Sequence, residues 1–175
     1  MIFDPAWFDI SPLSWHGIAA TLAAGSIVGL ERQLRGKPAG IRTSILITLG
    51  TYLFVALSAP LNNSGTDPSR IIGQVATGIG FLGAGVMLTR DGIVVGVTSA
   101  ATIWVLAAIG VAIGLGHFQT GIWLSVLVVF VLTGVDMLEN ASSLLRRGVH
   151  RTQKDWVART EQKQHNKSGR SNSSG

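Results

Sequence analysis

Cysteine is absent from all 175 residues, which excludes a disulfide framework, a thiolate metal site and a cysteine nucleophile. Charge is scarce, and Asp, Glu, Lys and Arg are missing altogether from residues 10–30, 43–66, 71–89 and 92–135. A run of about 18 or more mostly apolar residues is long enough to cross the ~30 Å hydrocarbon core of a bilayer as a helix. The last of these stretches is about twice that length, and Gly114–Leu115–Gly116–His117 divides it in two. Five spans are therefore expected. A soluble core this apolar would need alternating polar faces for its surface, and there are almost none.

The sparse charges are placed unevenly. Residues 1–145 carry six Lys/Arg against seven Asp/Glu, and residues 146–175 carry eight against two. The basic balance thus belongs to the tail, and no nucleic-acid partner is expected from it. On alternate sides of five spans, one side collects Arg32, Arg35, Lys37, Arg42, Arg90 and the start of the tail, while the other has Arg70 alone. The basic side is the cytoplasmic one, so the N-terminus is expected outside and the C-terminus inside. The first ten residues have no basic stretch, and a cleaved signal peptide is not expected.

Punctuation sets the boundaries. Ser11–Pro12 reads as a helix cap followed by proline, where the missing N–H costs nothing, and Asp67–Pro68 repeats the signal. Thr98 or Ser99 is a candidate cap for the fourth helix. The fold predicted is all-α, a polytopic bundle with spans at about 12–30, 43–60, 69–89, 98–115 and 120–138. Residues 1–11 form an outer segment, 12–145 the membrane domain, and 146–175 a basic, partly disordered tail suited to the inner membrane surface.

Two glycine-rich segments carry most of the pattern. In GLERQLRGKPAGIRTSILITLG (29–50), Glu31 and Arg35 are spaced i,i+4 with the acid first, the favourable order on a helix. Arg32 continues the small-residue stripe of Thr21, Gly25 and Gly29, so its guanidinium is expected to point inward, although an ordinary positive loop accounts for the same composition. GIGFLGAG (78–85) contains G-x-G-x-x-G but lacks the flanking strand and the later acidic residue of a nucleotide site. It reads as helix packing: Gly73, Ala76, Gly80 and Gly83 make one small face, and Gln74, Gly78 and Gly85 a second. The third helix is therefore expected to be central, with Gly80 and Gly83 intolerant of leucine and Gln74 bonded to a neighbouring helix. Trp104 is expected in the core.

Asp136, Glu139 and Asn140 lie within about one turn of the fifth helix. With Glu31 they form the acidic grouping that could meet Mg²⁺, but charge balance against Arg42, Arg90 or Arg146 is the better account of them. No cofactor is called for. Four scattered histidines have no ligand spacing, and no serine has a plausible His and Asp partner from the same side of the membrane. No enzymatic activity is expected.

The segments GLERQLRGKPAGIRTSILITLG, DPSRIIGQVATGIGFLGAGVML and TSAATIWVLAAIGVAIGLG resemble, in the same order, the MgtC/SapB family of bacterial inner-membrane proteins over about residues 15–118. The resemblance implies five helices with the N-terminus outside. It implies a link to growth in low magnesium and, in pathogens, to survival inside host cells, with members acting on other membrane proteins. By resemblance, Glu31, Arg32, Arg42 and Thr43 are carried over from the first motif, Asp67, Arg70, Gln74, Gly80, Gly83 and Gly85 from the second, and Thr102 and Trp104 from the third. Many members carry a soluble C-terminal domain of ACT type, which is not expected here.

The expected function is a non-enzymatic inner-membrane protein that modulates a membrane-protein partner or magnesium homeostasis. Its candidate residues are a polar cluster at the cytoplasmic mouth (Glu31, Arg32, Arg35, Arg42, Thr43, Asp136 and Glu139), an intramembrane set (Gln74, Gly78, Gly80, Gly83, Gly85, Thr102 and Trp104) and an outer cap (Asp67 and Arg70). The alternative is a Mg²⁺ transporter or channel, which would need a polar path across the membrane. A homo-oligomer is left open.

Overall fold

A computed structural model describes residues 9–61, 68–90 and 93–141. Asp67, the residues before Asp9 and the basic tail 146–175 lie outside the described residues. The order is α1 (Trp15–Leu34), α2 (Ile41–Ser58) with a 3₁₀ turn at Ala59–Leu61, α3 (Pro68–Gly85), β1 (Leu88–Arg90), β2 (Ile93–Val95), α4 (Val97–Gly114) and α5 (Phe118–Ala141). The chain divides into two compact units, Met1–Phe130 and Val131–Gly175. The second is described only as the helical stretch 131–141.

In the first unit α2 packs on α1, α3 and α4. Backbones come close because glycine removes the side chain at each contact. A Cβ on Gly25 or Gly29 would lie 2.7 or 2.6 Å from the Cα of Ile45 or Ile41 on α2. From the other side, a Cβ on Gly110 would lie 2.6 Å from the Thr48 carbonyl oxygen, and one on Gly114 2.6 Å from Val55 Cβ. Small residues are how helices approach where lipid offers no hydrophobic drive between them. Two apolar clusters fill the space around these contacts, one built on Ala24, Tyr52, Ile109 and Ile113, the other on Val28, Ile79, Ile103 and Leu106.

Local signals explain the ends. Ser14 caps α1, its Oγ accepting from the Gly17 N–H at 3.0 Å. The Ser14 N–H in turn donates to the Tyr52 hydroxyl at 2.8 Å, tying α1 to α2. Both α1 and α4 stop in Schellman turns: Lys37 N–H bonds the Arg32 carbonyl and His117 N–H that of Ala112, with Gly36 and Gly116 at positive φ just past the last turn.

Three helices, Ile41–Ser58, Val97–Gly114 and Phe118–Leu138, are long and apolar enough among the described residues to cross a membrane. The other two expected spans form as helices, α1 and α3, without joining these three. Several expectations are corrected. Ser14, not Ser11, caps α1, and the helix runs past Leu30 through Glu31 and Arg32. The third helix stops at Gly85 instead of Thr89, and an antiparallel hairpin follows, pairing Leu88 with Val95 and Arg90 with Ile93. A fully α fold is thus replaced by a mostly helical one. Neither Thr98 nor Ser99 caps α4: Gly96 does, at φ +91°, where an added Cβ would collide with the Val86 carbonyl. The helix with close neighbours on both sides is α2 and not α3. Around Gly73, Gly78, Gly80 and Gly85 nothing lies within 4 Å of a built Cβ, and Gly83 meets Ala100 at an ordinary 3.6 Å.

Substituting Gly110 by leucine is expected to cost more than the ~1–3 kcal/mol typical of overpacking, since backbone would have to move. Gly80→Leu should leave the melting temperature of the single chain nearly unchanged. Thermal unfolding of the two variants in detergent micelles measures the difference.

Candidate functional site

The last turn of α1 carries two charged side chains inward. Arg32 is 3% exposed and Glu31 9% exposed; Arg32 continues the stripe of Thr21, Gly25 and Gly29, and Glu31 follows Ala20, Ala24 and Val28 on the adjoining buried face. Arg32 Nη2 donates to Ser99 Oγ in the first turn of α4 at 2.7 Å. The guanidinium therefore joins two helices that are 67 positions apart in sequence. A hydrogen bond to a charged group is worth about 1.5–3 kcal/mol, and leaving such a group buried and unpaired costs at least as much. Arg35 Nε lies 2.7 Å from Glu31 Oε1, one turn away. That contact is an ion pair by distance but lacks hydrogen-bond geometry, so among the described residues neither Glu31 oxygen has a hydrogen bond, and Arg32 Nε has none either.

The rest of the expected cluster is arranged differently. Arg42 and Thr43 are exposed on the first turn of α2. Asp136 and Glu139 belong to the second unit, where Asp136 is half-buried and the Glu139 side chain lies outside the described residues. Of the intramembrane set, Thr102 is buried and its hydroxyl donates to the Thr98 carbonyl at 2.8 Å. Trp104 is 55% exposed, not in the core, because it shares an outward face of α4 with Val97, Ala101 and Ala108. Arg70 is exposed. Gln74 is also exposed. It faces a groove of about 760 Å³ between α2 and α3, whose other polar side chains are Thr43, Thr51 and Ser58, amid apolar residues such as Phe54 and Leu82. The expected bond from Gln74 to a neighbouring helix is not made among the described residues. Gly78 lines the same groove.

Sequence reading missed the buried hydroxyls. Ser44, Thr48 and Thr51 recur at i, i+4 and i+7 and form a buried stripe on α2. Thr48 Oγ1 lies within 3.1 Å of the carbonyls of Thr21, Ser44 and Ile45. The spacing is visible in the sequence, but it passes for apolar because threonine and serine can satisfy themselves on their own helix. Ser99 was missed for a related reason, since a serine near a helix start reads first as a cap. Among the described residues no group of three or more His, Cys, Asp or Glu could hold a metal ion.

Arg32→Ala should lower stability by about 1.5–3 kcal/mol, and Ser99→Ala by at least as much, because it leaves the guanidinium buried without its partner. Arg42→Ala, on an exposed side chain, should stay within about 0.5 kcal/mol. Melting of the purified variants in one detergent is the check.

Residues 18–141 match the MgtC family. The putative magnesium transporter YhiD of Escherichia coli K12 is 50% identical over 122 residues, covering 66% of this chain and 56% of YhiD. Protein MgtC of Salmonella typhimurium LT2 is 39% identical over 111 residues, covering 63% of this chain and 47% of its own length. An uncharacterized protein of Synechocystis is 40% identical over 111 residues, with the same coverage. The chain spans about half the length of the curated relatives it matches. No solved structure matches it. The chain belongs to the MgtC family, and with its apolar helices it is a membrane protein.

Proposed function

We propose that this chain is a multi-pass protein of the bacterial inner membrane, with its N-terminus outside and its C-terminus inside, that serves magnesium homeostasis by modulating a membrane partner and performs no enzymatic reaction. Membership in the MgtC family, with relatives named putative magnesium transporter YhiD and protein MgtC, supports the magnesium part. The asymmetry of basic residues supports the orientation. The observation that carries the modulating role is how the interior polar groups are used. The buried hydroxyls of Thr21, Thr102 and Ser125 each turn back to a carbonyl of their own helix, at 2.6–2.8 Å. Arg32 is held by Ser99. Hydroxyls satisfied on their own helix are not offered to a path, and the Arg32–Ser99 bond joins two helices.

One observation favours transport as the second reading. The groove between α2 and α3 brings Thr43, Thr51, Ser58 and Gln74 along one side of the unit. A cation path could use it, most readily where several copies enclose it.

Reconstituted into liposomes with an entrapped Mg²⁺ indicator, the folded protein is expected to give no influx above empty vesicles. Saturable influx abolished by Gln74→Leu would move the assignment to a transporter. In a complementation assay for growth in low magnesium, Arg32→Ala is expected to lose function while Lys37→Ala keeps it. Equal loss in both would remove the inward cluster from the reading.

A further inference from the structure

The β1–β2 hairpin is the one described segment of the first unit that is neither helix nor ordinary loop, and its apolar side chains are largely exposed. Leu88 is 66% exposed, Val94 55%, Val95 45% and Ile93 39%, with Met87 and Val97 at its two ends also exposed. Strand side chains alternate between faces. Leu88 and Val95 pair on one face and Thr89 and Val94 on the other, so apolar groups project from both. A lone two-stranded hairpin is marginal in water.

Where the hairpin sits limits what can cover it. Only Gly96 separates β2 from α4, a helix long and apolar enough to span a bilayer. Gly96 cannot yield freely: its carbonyl accepts the Ala100 N–H at 2.9 Å, and its backbone packs on the Val86 carbonyl. The hairpin is thus held at the end of a candidate span. Residues exposed on α4 beyond it are Val97, Ala101, Trp104 and Ala108, an outward stripe of the same apolar character. The hydrocarbon core is closed to the hairpin, because the outer edges of a two-stranded sheet leave N–H and C=O groups unpaired there. The headgroup boundary is open to it, since water and headgroups satisfy those edges. A three-residue strand is about 10 Å long, which matches the ~5–10 Å depth to which interfacial elements sink. A protein partner would cover one face, whereas a lipid boundary reaches both.

We infer that the β1–β2 hairpin is a lipid-contacting element, seated in the headgroup–acyl boundary of the leaflet where α4 begins, with Leu88 and Val94 inserted among acyl chains. The inference rests on the multi-pass reading above. The chain has no cysteine, so single-cysteine variants can be spin-labelled in the full-length background. Val94→Cys and Leu88→Cys would be labelled in liposomes of phosphatidylethanolamine and phosphatidylglycerol, and collision with oxygen compared with collision with a water-soluble nickel chelate. Lys37→Cys, on an exposed loop residue, is the aqueous reference. Leu127→Cys, 54% exposed on α5, is the reference for a spanning helix.

The hairpin labels should show an oxygen-to-nickel ratio several-fold above that at Lys37 and below that at Leu127. A ratio equal to that at Lys37 would place the hairpin in water and overturn the inference. Labels shielded from both reagents would mean that a protein surface, a partner or a second copy, covers the hairpin, and would overturn it as well. An aqueous ratio at Leu127 would overturn the spanning reading itself, and the inference with it.

Discussion

Backbone contact on both sides of α2 is the constraint on which the rest of the first unit depends. Glycines of α1 and α4 bring two helices within one side-chain thickness of α2, and that proximity makes the other features possible. It buries Ser44, Thr48 and Thr51, where larger neighbours would have left a gap or an open polar face. It also brings the ends of α1 and α4 near enough for a guanidinium to reach a hydroxyl. Dispersion forces between closely packed helices, more than any hydrophobic drive, hold such an arrangement inside lipid.

α3 is built on the opposite plan. Its β-branched aliphatic residues, Ile71, Ile72, Val75 and Ile79, turn inward or partly inward, while Gly73, Gln74, Gly78 and Gly80 face out. The packing glycines and the exposed glycines are the same residue type in the same kind of helix, yet only the first set touches a neighbour within the chain. Composition alone does not separate the two uses. What separates them is the partner face across the gap.

Much of the architecture was legible because length and charge are first-order signals in a membrane protein. Charge-free stretches located all five helices, and Gly114–Gly116 marked the break before α5 through the left-handed residue a Schellman turn requires. The hairpin escaped because the 71–89 stretch carries no charge and continues past the true helix end. Ile93–Val94–Val95 is a β-branched run, and the Asp91–Gly92 dipeptide before it is among the strongest short hairpin signals in any sequence; a reading tuned to span length passes over both. The inward aim of Arg32 followed from the stripe of Thr21, Gly25 and Gly29. Its partner did not, because a bond across 67 positions leaves no local trace. Trp104 was misplaced for a comparable reason. Depth along a helix can be read from sequence, but the outward or inward face of a helix that is apolar all round cannot.

The separation of Arg32 from Ser99 also sets an order of events in time. At synthesis rates of about 5–20 residues per second, the serine emerges on the order of 3–13 seconds after the arginine. Through that interval α1 and α2, adjacent in sequence and joined by glycine contacts, can pair with each other but cannot satisfy the guanidinium. A long cationic side chain near a helix end can wait with its charged head in the interfacial water. The hydroxyl that holds it in the folded chain arrives only with α4, so the bond that ties the end of the first helix waits on the fourth.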